Sequence, residues 1–208
     1  MNISQIPLQV EALIPEITLT GFASLILLAG LLKLKNEVLV WSSVLFLVIF
    51  AFFIPSFEGE AFNGMFLNDF LTIYLKLIII IGTIISLLVL TSYLKEKLIR
   101  FNESIAFILF SALGMMLLVS ARELISFFLS FELMSLSIYV LVGIRRYDVK
   151  SNEAAVKYFM LGGFSSAIML FGIAFIYGAT NTTELSLILK VISNYNPLIF
   201  IGLGLFIV

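Results

Sequence analysis

The sequence contains no cysteine and no histidine, and only 12% of its 208 residues are charged. Without cysteine the chain can form neither a disulfide bond nor a thiolate metal site, and without histidine it lacks the commonest proton shuttle and metal ligand. Its net charge of -1 provides no basic surface for phosphate groups. We therefore expect neither a metal ion nor a nucleic acid as a ligand, and any proton carrier must be Glu, Asp, Lys or Tyr.

Apolar residues are abundant instead. They make up 62% of the chain, and the mean hydropathy of +1.18 is far above that of a soluble domain. A helix needs about 20 mostly apolar residues to cross a bilayer core of about 30 Å, and the apolar runs here are too long, and alternate too little, for β-barrel strands. The sequence predicts an all-α, polytopic transmembrane bundle that forms one domain over residues 1–208 in a lipid bilayer.

Six complete helices and part of a seventh are predicted, at residues 15–32, 38–54, 69–93, 104–121, 123–143, 153–178 and 197–208. The last begins at Pro197, a favoured first-turn residue, and its remaining residues, at about 1.5 Å each, cover about half of the bilayer. An unfinished helix leaves carbonyl groups without partners in lipid. We therefore expect this chain to be the N-terminal portion of a longer protein.

Basic residues are distributed unevenly between the predicted loops. The loops after helices one, three and five hold Lys33, Lys35, Lys95, Lys97, Arg100, Arg145, Arg146 and Lys150, whereas those after helices two, four and six hold Arg122 and Lys190. Loops rich in lysine and arginine stay on the cytoplasmic side. The N-terminus and the acidic loop IPSFEGEAFNGMFLN are therefore predicted to face outward.

One carboxylate lies near the middle of the apolar run SFFLSFELMSLSIYVLVG, residues 126–143. Glu132 is about ten residues into its predicted helix, at a depth of about 15 Å, where charged groups are costly. Ser135 and Tyr139 share its face at i+3 and i+7 and form one polar stripe. The pattern favours a functional acid that faces the protein interior. The alternative is a protonated acid that hydrogen-bonds a neighbouring helix as a packing contact.

Two lysines also fall inside predicted helices, Lys157 and Lys76. Lys157 is about 6 to 8 Å deep, from where a lysine can extend to the interface. The small residues in the following stretch, LGGFSSA, allow another helix to approach closely, which favours a lysine directed into protein. Lys76 has Asp69 seven residues before it on the same face, and we expect that pair to anchor the third helix near the outer surface.

A buried acid and a buried amine can move protons without a metal or cofactor. Desolvation favours the neutral form of each group, whereas bringing the two together favours both charged forms. A change in their separation, or in a third charge nearby, therefore moves a proton on or off the lysine. Glu132 and Lys157 are the predicted proton-transfer residues, with Ser135 and Tyr139 beside Glu132.

Three stretches closely resemble a known family: LIPEI at 13–17, LLVSARELISFFLSFELMSLSIYVLVGIRR at 117–146 and SNEAAVKYFMLGGFSSAIMLFGIAFIYGATNTT at 151–183. They resemble the antiporter-like membrane subunits of respiratory complex I, the proton-pumping NADH:quinone oxidoreductase, and most of all subunit N, called subunit 2 in mitochondria. The resemblance implies that Glu132 is the glutamate of a proton-transfer unit and that Lys157 belongs to the same half-channel. Further lysines and a second, inverted repeat would lie beyond Val208.

The resemblance also implies what this chain leaves to its partners. Other membrane subunits would surround it, and NADH, FMN, iron–sulfur clusters and quinone would be handled in the wider complex, with no cofactor bound by this chain. The lack of cysteine and of a GxGxxG fingerprint agrees. The implied function is that of a translocase subunit without a redox centre, which couples quinone reduction to proton pumping. A bacterial plasma membrane is expected, with the mitochondrial inner membrane and the thylakoid as alternatives.

Two other functions are compatible with the same residues. A subunit of a multi-subunit cation/proton antiporter or of a membrane-bound hydrogenase would share the glutamate and lysine arrangement. Co-purification with NADH:quinone reductase activity separates complex I from these. A non-catalytic membrane assembly subunit would use its polar groups only to hold helices together, and it predicts that Glu132→Gln leaves pumping intact.

Overall fold

The computed structural model describes residues 10–30, 35–92, 101–191 and 196–207. These residues form the helices α1 Ile14–Ala29, α2 Asn36–Phe53, α3 Phe70–Thr91, α4 Phe101–Ser120, α5 Leu124–Val142, α6 Val149–Thr180, α7 Leu185–Val191 and α8 Pro197–Ile207. Helices α1 to α6 are long and apolar enough to cross a membrane, α1 together with the 3-10 turn Glu11–Leu13 that precedes it. The predicted all-α transmembrane class is confirmed.

The helix bounds differ from the predicted ones mainly at α6. This helix has 32 residues, because the carboxylate of Asp148 caps it by accepting the N–H of Lys150 and because it continues to Thr180, after which Asn181 adopts a left-handed φ of 53°. The short helix α7 was not predicted. The predicted helix residues 31, 32, 93 and 208 and the loop residues Lys33, Lys95, Lys97 and Arg100 lie outside the described residues.

One end of the bundle carries a β-hairpin, in which β1 Gly59–Ala61 pairs antiparallel with β2 Phe66–Asn68. Residues 121–123 extend the layer, because Ala121 bridges to β2 and Glu123 bridges to Glu184. Strands of three residues carry no hydrophobic periodicity, so the sequence predicts only a loop for this segment. We call residues 57–69, 121–123 and 181–185 the hairpin end.

Helix α4 lies at the centre of the largest core cluster and packs against α1, α3 and α5. Its side chains at Ile105, Leu109 and Met116 are fully buried. Gly114 brings α4 against α5, since a Cβ atom built on it would lie 2.5 Å from the backbone nitrogen of Met134. This contact between a glycine and a backbone fixes the position of α5 in the bundle.

Helix α6 packs against α5 and α8. It meets α8 backbone to backbone, because a Cβ atom on Gly172 would lie 2.6 Å from the carbonyl oxygen of Gly202. Close approach through small residues is the usual way in which membrane helices pack. The contact between α5 and α6 contains Glu132, the acid predicted to be functional.

Candidate functional site

Glu132 lies on α5, about 12 Å along the helix axis from its first residue. Its side chain is half-buried, and its Oε1 atom accepts a hydrogen bond from the hydroxyl of Ser166 on α6. Ser166 is itself buried. The acid therefore faces a neighbouring helix and is held there by an uncharged donor.

The same contact between α5 and α6 continues at Tyr139 and Gly162. A Cβ atom on Gly162 would lie 1.8 Å from Tyr139 Oη, so the phenol occupies the space that this glycine leaves. The Tyr139 ring also packs against Tyr158 and Phe159, with centroid distances of 5.9 and 6.2 Å. The small residues of α6 do allow a close helix approach, and the approaching helix is α5.

Lys157 is exposed and does not contact Glu132. Its ammonium pairs with the carboxylate of Glu153 one turn earlier, and the two side chains are 68% and 58% exposed. Lys157 precedes Ser166 by nine residues, which is about 13 Å along the helix and about half a turn around it. The small-residue seam of α6 therefore faces α5, and Lys157 lies on the other side of α6, away from that contact.

Helix α5 has a second polar face, which the sequence analysis missed. Ser135 is buried, as expected for the Glu132 face. Ser126, Ser130 and Ser137 are also buried, and their hydroxyls donate to acceptors on α5 or its N-cap, namely Glu123 Oε2, Ser126 O and Leu133 O. Their spacing places them roughly opposite Glu132. The hydroxyls of these serines are satisfied within α5 and its N-cap, and their small side chains allow close packing. The hydrogen bond to Glu132 comes instead from α6.

Lys76 is fully buried and its partner is not Asp69. Its ammonium lies 2.5 Å from Glu16 Oε1 on α1 and also donates to the side-chain oxygen of Asn68. Glu16 is 2% exposed. The predicted Lys76–Asp69 anchor is therefore wrong, and the residue that the sequence analysis missed is Glu16. The available signal was an acid inside a predicted transmembrane helix, the same signal that singled out Glu132.

Asp69 precedes α3 in an extended backbone conformation and does not share the helical face of Lys76. Its carboxylate caps the helix by accepting the N–H of Thr72 at 2.8 Å, and it pairs with Arg122 at 3.0 Å. The hydrogen bonds from Thr72, together with the nearby Arg122 guanidinium, hold the pKa of Asp69 below its usual range. This pair is partly exposed at the hairpin end.

Asn68 connects the buried ion pair to the hairpin and to α4. Its amide nitrogen donates to the carbonyl oxygens of Ala12 at 2.5 Å and Phe57 at 3.1 Å. Its side-chain oxygen accepts from Lys76 and, at 3.3 Å, from the Ser120 hydroxyl. We call Glu16, Asn68, Lys76 and Ser120 the Glu16–Lys76 cluster. It is a buried polar site separate from the contact around Glu132.

The described residues contain six membrane-length helices and an acid held between two of them, which define a polytopic membrane protein. The model of the family "NADH:quinone oxidoreductase/Mrp antiporter, TM" matches residues 121–208, which include Glu132, Lys157 and Ser166. The chain belongs to this family.

Relatives extend the similarity over most of the chain. NADH-quinone oxidoreductase subunit N 2 of Rhizobium meliloti (strain 1021) is 36% identical over 187 residues, which cover 88% of this chain and 39% of the relative. NADH-quinone oxidoreductase subunit N of Trichlorobacter lovleyi is 33% identical over 216 residues, which cover 99% of this chain and 44% of the relative. The chain thus spans about two fifths of the length of these curated relatives.

Solved structures of two respiratory membrane complexes contain the same fold. A chain of respiratory complex I from Thermus thermophilus with bound aureothin superposes with a TM-score of 0.74 at 28% identity. The match covers 93% of the present chain and 42% of the complex I chain. A chain of the membrane-bound sulfane sulfur reductase, an archaeal respiratory membrane complex, has a TM-score of 0.74 at 21% identity and shares the fold. The predicted antiporter-like fold is confirmed.

Proposed function

We propose that this chain is a proton-translocating membrane subunit of an NADH:quinone oxidoreductase, in which it couples quinone reduction to proton pumping. The observation that carries the proposal is Glu132, an acid in the interior of a membrane-length helix that accepts a hydrogen bond from Ser166 on the next helix. Ionisable groups in such positions are costly and are used mainly in ion and proton paths. The relatives named as subunit N support the same reading.

In this proposal each polar residue of the α5–α6 contact has a role. Glu132 takes up and releases the proton, and Ser166 orients its carboxylate. Tyr139 and Ser135 line the same side of α5. Lys157 lies on the opposite face of α6 and carries the second charge, which acts on groups outside this chain.

The partners of that exposed face of α6 are, in our proposal, other membrane subunits or other helices of the same subunit, surrounded by lipid. NADH, FMN, iron–sulfur clusters and quinone act elsewhere in the complex. The chain works as part of the translocase, in a bacterial plasma membrane. Its energy arrives as a conformational or electrostatic signal from the redox subunits.

The deciding experiment is NADH-driven proton uptake by membrane vesicles that carry Glu132→Gln in the full-length subunit, normalised to the amount of assembled complex. Gln keeps the size and hydrogen bonding of the acid but cannot titrate. A large loss of pumping at normal assembly supports the proposal. Glu37→Gln, at an exposed acid in the first turn of α2, is the matched control. Unchanged pumping in Glu132→Gln would instead indicate a packing contact and favour an assembly subunit.

A second candidate is a membrane subunit of a multi-subunit cation/proton antiporter or of a membrane-bound hydrogenase. The family description names both an oxidoreductase and an antiporter, and the sulfane sulfur reductase shares the fold. Purification of the protein from its native membrane separates these functions. Co-migration with NADH:quinone reductase activity supports complex I, whereas intact cation exchange without that activity supports the antiporter.

A further inference from the structure

The Glu16–Lys76 cluster contains two opposite charges that no part of the proposed mechanism uses. Lys76 is 0% exposed and Glu16 is 2% exposed, and they join α1 to α3. Burying two charges costs several kcal/mol of desolvation per ion, and an ion pair returns this only with good geometry and additional hydrogen bonds. Packing alone therefore gives little reason for a charged pair here.

Lys76 and Glu16 do not have the same number of hydrogen-bond partners. The Lys76 ammonium has two partners, the carboxylate of Glu16 and the side-chain oxygen of Asn68. Neither oxygen of Glu16 accepts an aligned hydrogen bond from a described residue, although its Oε1 is 2.5 Å from the ammonium. A carboxylate without aligned donors has little besides the neighbouring charge to stabilise its ionised form. Glu16 is thus the member of the buried pair with the weaker hydrogen-bond support.

The cluster lies close to the exposed surface of the hairpin end. Lys76 is about 9 Å along α3 from its first residue, and Glu16 is about 3 Å along α1 from its own. Asn68 is followed directly by Asp69, which forms a partly exposed ion pair with Arg122. A proton from that side therefore has to cross a short distance to reach Glu16.

From this arrangement we infer that Glu16 is a second proton-exchanging acid, which takes up and releases a proton on the hairpin side. Uptake of one proton converts the Glu16 carboxylate to a neutral acid and leaves Lys76 as a buried cation held by Asn68. Release of that proton restores the ion pair. Each exchange changes the buried charge of the cluster by one unit.

The charged groups on the elements packed around the cluster also bear on this exchange. They are Glu11 before α1, Glu58 and Glu60 in the hairpin, the Asp69–Arg122 pair and, at the opposite end of α4, Glu103. Glu11, Glu58, Glu60 and Arg122 are exposed and Asp69 is partly exposed, so water screens their charges. The change in charge inside the cluster therefore acts mainly on Lys76 and Asn68.

The test uses the assembled membrane complex with Glu16→Gln in the full-length subunit, because Gln mimics the protonated acid. We expect normal assembly, a proton-translocation rate lowered about tenfold or more, and loss of one carboxylic C=O band from the infrared spectrum recorded as the pH is changed. Asp69→Asn, which neutralises a partly exposed acid at the same end, is the control. It should retain the band and the rate.

Either of two results would overturn the inference. The first is a Glu16→Gln complex that assembles and pumps at the wild-type rate. The second is failure of Glu16→Gln to assemble while Asp69→Asn assembles, because an acid that exchanges protons must be tolerated in its neutral form. The pumping readout rests on the proposed function, but the infrared readout does not. If Glu132→Gln pumps normally while Glu16→Gln still loses the infrared band, the proposed role of Glu132 is contradicted and the inference about Glu16 stands.

Discussion

Gly162 on α6 lies directly against the phenol of Tyr139 on α5, so that a Cβ atom at Gly162 would fall 1.8 Å from Oη and 2.5 Å from Cζ of the ring. Gly162→Ala must therefore push the ring or the helix aside, close to the hydrogen bond between Ser166 and Glu132. We expect a loss of about 1 to 3 kcal/mol in stability, as for other overpacked sites, and a lower pumping rate. Thermal denaturation of the purified complex measures the first effect.

Gly163→Ala is the matched control for this prediction. It adds the same methyl group to the next residue, where nothing lies within 4 Å of the new atom. It should leave the denaturation temperature and pumping nearly unchanged. Equal behaviour of the two variants would contradict the close packing of α6 on Tyr139.

Ser166→Ala tests the donor to Glu132 separately from the acid itself. A hydrogen bond to a charged group contributes about 1.5 to 3 kcal/mol, and without it the carboxylate loses its partner on α6. We expect pumping per assembled complex to fall several-fold at nearly normal assembly. Ser137→Ala removes a hydroxyl that donates to Leu133 O on its own helix, and this variant should pump normally. A normal rate in Ser166→Ala would show that Glu132 needs no orientation from α6.

The helical class and the position of Glu132 were predictable because both depend on residues that are adjacent in the sequence. An apolar run of membrane length and an acid near its middle are local properties. The partner of Lys76 was not predictable in this way. Asp69 is seven residues from Lys76 whereas Glu16 is 60 residues away, so proximity in sequence favoured the wrong acid. Helices α1 and α3 both pack against α4, and this shared packing, together with Asn68 of the hairpin, brings Glu16 to Lys76.

The side of α6 on which Lys157 lies was not predictable for a different reason. The glycines and serines of α6 correctly indicated a close helix approach, but such a pattern does not say which helix approaches. The approaching helix is α5, on the side of α6 turned away from the lysine. The hairpin was missed because its strands have three residues each, too few for an alternating pattern to be recognised.

Lys76→Met should be strongly destabilising, because the Glu16 carboxylate then has neither a counter-charge nor a hydrogen-bond donor among the described residues. Glu16→Gln should be milder, because the Lys76 ammonium keeps the side-chain oxygen of Asn68 as a partner. Removing one partner of a buried pair typically costs about 3 to 5 kcal/mol. The amount of assembled complex and its thermal denaturation provide the measurement. Arg122→Gln removes one partner of the partly exposed Asp69 pair and should cost about 1 kcal/mol or less. A Lys76→Met complex as stable as Arg122→Gln would contradict the buried pairing.

Asp69 should make α3 sensitive to acid only at low pH. Its pKa is held below the usual range by the Thr72 hydrogen bonds and Arg122, so its contribution to stability is complete above the unfolded pKa of about 3.9 and is lost as the pH falls through the lower, folded value. Asp69→Asn keeps a good N-cap but does not titrate. We expect it to lose less stability than the wild type when the complex is acidified below about pH 4.

The control for this prediction is the stability of two Asp69 variants at neutral pH, where only the loss of the helix cap matters. Asp69→Ala removes the acceptor for the N–H of Thr72 and should lower stability by about 0.5 to 2 kcal/mol there. Asp69→Asn should lose little at neutral pH. If the wild type and Asp69→Asn respond equally to acid, the low pKa of Asp69 does not stabilise the folded chain.

Variants of Lys157 test whether this lysine only anchors α6 at the membrane interface or takes part in proton translocation. Its ion pair with Glu153 is exposed, and pairs of this kind contribute about 1 kcal/mol or less. A lysine that only anchors α6 can therefore be replaced at little cost, whereas a lysine that acts electrostatically on groups outside the chain cannot. We expect Lys157→Met to assemble normally and to lose most of its proton pumping. The measurement is NADH-driven proton uptake per assembled complex.

Lys150→Met on the same helix controls for the loss of a positive charge near its end. Lys150 is exposed in the first turn of α6, and we expect the variant to pump normally. Glu153→Gln adds a second comparison, because it removes the partner of Lys157 but keeps the lysine charged. If Lys157 acts through its charge on groups beyond α6, Glu153→Gln retains more pumping than Lys157→Met. Equal, wild-type pumping in all three variants would identify Lys157 as an anchor and would leave Glu132 as the proton carrier of this chain.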